Sequence, residues 1–485
     1  MGDANQGFKI IVLALAATPL FMSAAHADQK NLVTPSLKIT RSLEFTTKLA
    51  LNEAPVAPAA TVPATSDKVL LEATALINKG DYKAAYQLLE PLEAARVGDI
   101  NFDYLFGFAG VESGNVTRGT FALERVLAQD PNNKDARAEI AKAHYLLGEI
   151  DTSKAEFKNV LAQKPDEKTK NNIEKLLTSI EKIEGVVTTY NAYLDLGAGW
   201  DSNISSAPSI STIAVPVIGG LIVPLDKSAR EKADSFLNAS AGISFRHPII
   251  AEKLVAFGSA GYTRRNNNSE TAFSNSTLDF SAGLGYYADS NSYTFALQDA
   301  HFNLDGEPFR HAYGGTLQWL YTVDANNQMG MYGQFTKLKY NGSSFQNADR
   351  TILGVNGAHV FAGDLSPVAF ASLYGGSEDA RDSQAIFLDH DIYGLRAGGQ
   401  LTFSAALQTY VSFGFEARGH NEDNPIFLSK RKDHQYDATI GLRYMPASDW
   451  VIKPQFSYTQ NDSNIAINDF ERKLISINVR KDFNW

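Results

Sequence analysis

The sequence predicts a two-part α + β membrane protein. An N-terminal α-solenoid of about three helix-turn-helix units precedes a C-terminal antiparallel transmembrane β-barrel of about fourteen strands. Three observations carry this expectation. Glycines, prolines and small residues recur every 34 residues through the first part. From Thr189 onward the apolar period changes from 3.6 to 2. The connections between the period-two segments alternate between short and long.

Composition alone does not decide between a soluble protein and a barrel. The chain has 485 residues, is 44% hydrophobic and only 20% charged, and a barrel hides its hydrophobicity by alternation. A net charge of −10 argues against nonspecific nucleic-acid binding. The absence of cysteine excludes disulfides, thiolate nucleophiles, thiolate zinc sites and a lipidated N-terminal cysteine.

Taken in order, residues 1–27 read as an export signal. Lys9 precedes the apolar run Ile10 to Leu20, and Ala25-His26-Ala27 sets cleavage between Ala27 and Asp28. Residues 28–65 include the Pro/Ala-rich stretch Ala54 to Pro63 and are expected to form a flexible linker.

Residues 66–185 form the repeat region. Gly80, Gly114 and Gly148 lie 34 residues apart, as do Pro131 and Pro165. That is the period of the tetratricopeptide repeat. Ala73, Gly107 and Ala141 fall where paired helices approach, with Ala85, Gly119 and Ser153 opposite them. Leu89, Leu123 and Phe157 fill the larger packing position. A closing helix is expected over Glu167 to Ile183, with Ile173, Leu176, Leu177 and Ile180 on one face. By the phase of the repeat, Asn101, Tyr104, Phe108, Glu112, Asp135, Lys142 and Tyr145 face the concave side. That face is either a groove for a periplasmic client protein or a spacer packed on the next domain.

Residues 186–485 form the strand array. In one segment Leu278, Phe280, Ala282, Leu284 and Tyr286 alternate with polar residues and glycines. Segments around Val411–Ala417 and Tyr436–Tyr444 repeat the pattern. Strands are expected near 189–202, 233–248, 252–264, 273–288, 291–303, 309–323, 327–340, 348–362, 366–378, 390–404, 407–420, 432–446, 449–461 and 469–485. Long connections at 203–232, 265–272, 379–389, 421–431 and 462–468 alternate with tight ones, as external loops alternate with periplasmic turns. Tyr286, Tyr287, Tyr293, Trp319, Tyr321, Tyr444 and Trp450 crowd the short-turn side as an interfacial girdle. A secreted β-sandwich or propeller is the rival fold.

Lumen charges are expected at Asp195, Arg246, Asp279, Arg396, Glu416, Arg418, Asp437, Arg443 and Lys453. Both signs occur, so they read either as paired structural networks or as a pore lining without strong ion preference. Arg264-Arg265 and Lys430-Arg431-Lys432 lie at external strand ends, as solvated charges or as contacts to lipid phosphates. The loop 203–232 carries the apolar run Ile213 to Leu225, as a surface loop that meets a partner or as a plug. No HExxH, GxSxG or Walker-type motif occurs, the nine histidines are scattered, and neither an enzyme nor a bound cofactor is expected.

The stretch Phe121 to Leu127, then Asp130-Pro131 and Ala136 to Ala141, resembles the helical domain of the surface lipoprotein assembly modulators. The ending Lys473 to Trp485 resembles that family's last strand, with Phe483 and Trp485 as a barrel-assembly signal, although Phe is the more usual final residue. The resemblance implies an outer-membrane translocon for small lipoproteins or soluble haem- or metal-acquisition proteins. Its partners would be outer-membrane lipids, the barrel-assembly machinery and a periplasmic client. An exopolysaccharide export porin and a general diffusion porin remain the alternatives.

Overall fold

The structure, a computed structural model, describes residues 67–484 apart from Gly148, Gly185, Asp364 and Ala405. The expected signal with its cleavage point at Ala27 and Asp28, the linker 28–65 and the terminal Trp485 lie outside the described residues. The chain forms two compact units, with the helices on one side of Val186 and the strands from Val187 onward.

The helical unit consists of α1 (Lys68–Asn78), α2 (Tyr82–Leu89), α3 (Glu93–Arg96), α4 (Ile100–Ser113), α5 (Val116–Gln129), α6 (Lys134–Leu146), α7 (Ile150–Ala162) and α8 (Glu167–Glu184). Short polar side chains start several of them. Asp67, Asp81, Asp99 and Asn133 each accept a backbone N–H from the first turn that follows. Gly80 and Gly114 end first helices with φ of +79° and +92°, a conformation that costs glycine nothing. The phased small residues are the closest helix contacts. A Cβ on Gly107 would sit 2.6 Å from Leu123 Cγ, and one on Gly119 would sit 2.7 Å from the Gly107 carbonyl oxygen. In the third pair Ser153 Oγ donates to the Ala141 carbonyl at 2.7 Å. Leu89, Leu123 and Phe157 are buried at the larger position. Two apolar cores result, one around α1–α5 and one in which Ile173 and Ile180 of α8 close over α6 and α7.

The barrel strands are β1 (Thr189–Asp201), β4 (Asp234–Ile250), β5 (Leu254–Asn267), β6 (Asn275–Ala288), β7 (Asn291–Leu304), β8 (Glu307–Thr322), β9 (Asn327–Tyr340), β10 (Ala348–Val360), β11 (Val368–Ala380), β12 (His390–Ser404), β13 (Leu407–Asn424), β14 (Ser429–Ala447), β15 (Trp450–Ser463) and β16 (Phe470–Asn484). β2 (Thr212–Val215) and β3 (Leu221–Pro224) form a separate hairpin in the loop after β1. The fourteen long strands close into an antiparallel barrel in which each pairs with its sequence neighbour and β1 also pairs with β16. Side chains alternate as period two requires. On β6, Leu278, Phe280, Ala282, Leu284 and Tyr286 are exposed outward while Asp279, Ser281, Gly283 and Gly285 turn inward. Ile475, Ile477, Val479 and Phe483 on β16 are likewise exposed.

Several expectations are corrected. The connection expected at 421–431 is mostly strand, because β13 and β14 extend to leave only residues 425–428 between them. The connection after β7 is the tight pair Asp305-Gly306, although it lies at the long-loop end. Tyr287 is not part of the girdle; parity turns it inward, where Arg246 lies 5.6 Å from its ring. The loop 203–232 is not a simple plug. Its base is buried through Asn203, Ser205 and Ala207, while Val217, Ile218, Leu221 and Ile222 of the hairpin stand exposed. The Val217 N–H donates to the Ile426 carbonyl at 3.2 Å and ties the hairpin to the β13–β14 loop.

Four external loops share one device that composition does not reveal. Each makes a single 3-10 turn, at 271–273, 344–346, 386–388 and 466–468. The next residue, Ser274, Asn347, Asp389 or Asp469, accepts a backbone N–H from the end of the preceding strand. The loop ends are thereby stitched without extending the ladder.

Gly119→Ala should destabilise the helical unit by about 1–3 kcal/mol, because its Cβ meets backbone rather than a movable side chain. Thermal melting of the detergent-folded protein followed at 222 nm should show this as a lower helical transition, and an unchanged transition would refute the close approach.

Candidate functional site

The expected concave face is made chiefly by α4 and α6. α4 is buried along Phe102 to Val111, so Tyr104 and Phe108 of that face are core rather than groove lining. Tyr104, Phe108 and Tyr145 belong to the two cores. Tyr104 and Phe108 pack tilted with centroids 6.2 Å apart, and Tyr82 meets Phe108 at 6.0 Å. Asn101 and Asp135 keep partial exposure, while the Glu112 and Lys142 side chains, 13% and 11% exposed, are largely covered.

A charge cluster lies beside these aromatics. Lys142 Nζ donates to the Glu112 carboxylate. Glu139, one helical turn before Lys142 (i, i+3), is 4% exposed, and its Oε2 has no hydrogen-bond partner. Burial pushes the Glu139 carboxyl up to about 8; Lys142 opposes the rise, and the Glu112 and Asp135 carboxylates add to it. Burial also pulls the Lys142 ammonium down, but Glu139 and Glu112 together hold it above its ordinary range. A separate buried pair braces α4 on α5. Asp103 accepts from Arg125 at 2.6 Å and from the Gly98 N–H at 2.9 Å.

In the barrel, register places every expected lumen charge on the inward face, and most have partners along the wall. Asp195 accepts from Asn478 at 2.6 Å, and Glu416 accepts from the Tyr374 hydroxyl at 2.8 Å. Arg418 donates to Gln435 and Asn461 at 2.9 and 2.8 Å. Asp437 accepts from Thr459 and Gln435 at 2.7 and 2.9 Å. Arg396 lies 5.6 Å from the Tyr374 ring, and Lys453 lies 6.0 Å from the Tyr410 ring. Arg246 stacks on Tyr287, and Asp279 faces Gly261 across the β5–β6 pair. Arg443 also points inward, with its Nε unpartnered. Paired networks of this kind are structural bracing rather than a one-signed sieve.

Further inward networks, not legible in the sequence, complete the wall. Asp201, fully buried on β1, accepts from Arg265 of β5 at 2.8 Å and from Arg472 of β16 at 2.6 Å. Arg265 therefore turns inward while Arg264 faces out, and Arg431 turns inward to Asp433 at 2.6 Å. Arg350 and Glu378 form a further inward pair at 2.6 Å. The fold also brings Asp299, His301 and His311 together, although the spacing of the histidines suggests no cluster.

The family model described as surface lipoprotein assembly modifier matches residues 200–483, more than half of the chain. The chain belongs to the surface lipoprotein assembly modifier family. A tetratricopeptide-repeat model matches residues 111–171, within the helical unit. No curated protein matches the chain. Among solved structures, it is similar to the monoaromatic hydrocarbon channel TodX (deltaS2 mutant), at 12% identity over 61% of this chain and 90% of that one, with a TM-score of 0.34. It is similar to OmpT of Vibrio cholerae, at 12% identity over 61% and 98%, with a TM-score of 0.34. The helical part is similar to the Sgt2 tetratricopeptide domain of Aspergillus fumigatus, at 18% identity over 26% and 86%, with a TM-score of 0.22.

This family member is an outer-membrane assembly barrel and not an enzyme, with its N-terminal domain on the periplasmic side. The even number of barrel strands puts both barrel ends on one face of the membrane.

Two measurements test the networks. Glu139 is held protonated in the folded unit up to about pH 8 but ionises near 4.5 when unfolded. Its contribution is therefore fully present below pH 4.5 and lost as pH rises to 8, on the order of a few kcal/mol. The 222 nm transition should fall by several degrees between pH 5.5 and 8.5 and become flat in Glu139→Gln, as estimated from this linkage. An equal slope in that variant would contradict the assignment. Asp201→Asn should leave two inward arginines without their carboxylate and cost the barrel about 3–5 kcal/mol. Heat-modifiable gel mobility should then be lost at a lower temperature, and an unchanged temperature would show that the clamp is dispensable.

Proposed function

We propose that this surface lipoprotein assembly modifier moves small client proteins, foremost lipoproteins, from the periplasm to the cell surface. The helical unit receives the client, and the barrel provides the passage. The observation that carries the reading is the family match running through the strand array itself, on a chain that also bears a tetratricopeptide solenoid. The partly exposed residues Asn101 and Asp135, with the Glu112–Lys142 pair between them, offer hydrogen bonds and charges of both signs to an extended client segment. The paired lumen charges suit a wall that keeps its shape while a chain passes. Outer-membrane lipids and the barrel-assembly machinery are the partners this route requires, since a closed barrel cannot insert while its strand edges are unpaired.

Surface shaving of intact cells with a protease, followed by mass spectrometry, tests the proposal. Deleting the gene should remove the surface peptides of one or a few lipoproteins while their total cellular amount persists. An identical set of shaved lipoprotein peptides in the mutant would sink it.

A further inference from the structure

The outward face of β7 and β8 carries a donor set that export does not use. Residues two apart on a strand share a face, and directly opposed residues on neighbouring strands bring their side chains within about 5 Å. Asp299 and His301 are two apart on β7, and His301 is opposite His311 on β8. The hairpin is fixed by the tight turn Asp305-Gly306, with φ of +52° and +81°. The two imidazoles stack almost parallel, 4.2 Å apart at 7°. Both present Nε2 to the same carboxylate, His301 at 2.9 Å from Oδ1 and His311 at 2.7 Å from Oδ2 of Asp299. One ligand atom from each residue lies within 4.8 Å of the others.

A plain surface hydrogen bond needs one histidine. Two stacked rings that converge through Nε2 on one carboxylate bring three donor atoms to a single point, as a shared cation requires. We propose that Asp299, His301 and His311 form a binding site for a divalent transition-metal ion of the zinc class. Two imidazole nitrogens and a carboxylate oxygen are the donors such an ion selects, and this number leaves a coordination position open. Binding to neutral rings moves each Nε2 proton to Nδ1 and leaves the charge of the rings unchanged. The site lies just beyond the outward apolar residues Tyr293, Phe295 and Leu297 of β7 and Leu317 of β8, on the long-loop side. Its open position therefore faces the head-group layer. Tyr313 stacks on His311 at 5.0 Å and fixes that ring, while Lys339 opposes His311 from β9 and lies 5.1 Å from the Tyr313 ring.

The test uses the full chain folded in detergent, titrated with ZnCl2 alone by calorimetry. One ion per chain should bind in the wild type, with affinity at least tenfold weaker in His301→Ala and in His311→Ala. His434→Ala, on the outward face of β14, should bind as the wild type does. Heat-modifiable gel mobility establishes that each variant has folded. Cobalt substitution supplies a second readout, because visible d–d bands should appear in the wild type and be lost in Asp299→Asn. Absence of stoichiometric zinc binding, or equal binding by the His301 and His311 variants, would overturn the proposal.

Discussion

Closure of the β1–β16 seam is the constraint on which the strand unit depends. No water in a bilayer core can satisfy a backbone N–H or carbonyl, so an open edge strand is not tolerated there. Here the seam runs from Asn191 opposite Asn484 to Asp201 opposite Leu474. Its partners are therefore the first and last strands of the array. This is the least local pairing the barrel has, and it waits for the whole chain. The Asp201 clamp makes physical sense at that place. One carboxylate on β1 holds guanidinium groups from β16 and from β5, so the seam is braced on its inner face where the last pairing forms. A chain without cysteine meets this wait with no thiol to cross-link wrongly in an oxidising compartment.

The inward charges follow from the same geometry. Each strand must place half its side chains in the lumen, and glycines or small residues at every such position would leave the wall soft. Arginine on one strand with a carboxylate or amide one or two strands away covers several ladder positions and satisfies its donors locally. Arg350 with Glu378 and Arg418 with Gln435 and Asn461 are examples. Because the partners lie on the same stretch of wall, one or two strands away, they brace the wall without bridging the barrel. Mixed sign in the sequence is thus a consequence of pairing, not of a permeation preference.

What the sequence reveals tracks periodicity. Fourteen strands, the repeat phase and the closing helix were all legible because each repeats a pattern many times. The loops were harder to read. The ends of β13 and β14 are polar because they project past the bilayer, so Asn421 to Arg431 resembles a connection by composition while the ladder continues to Asn424 and from Ser429. Tyr287 shows that an aromatic beside a turn cannot be assigned to the girdle without its parity. The Asp299, His301 and His311 constellation was recoverable in principle. Strands ending at 303 and resuming at 309 already pair 301 with 311; searching by linear spacing, as for a helix, overlooks a cross-strand pair.

The concave face shows where pattern and function part. Repeat phase correctly puts Tyr104 and Phe108 on the inner helix, but three units give that helix neighbours on every side, and both rings become core. A client that used those rings would have to open the apolar core first, at the cost of burying nothing in exchange until it had entered. A client that meets Asn101, Asp135 and the edge of the Glu112–Lys142 pair leaves the core closed, beside a glutamate kept neutral by burial. For the proposed client role, recognition through the polar rim, with the aromatic layer as its rigid support, is therefore the cheaper arrangement, because it leaves the solenoid folded.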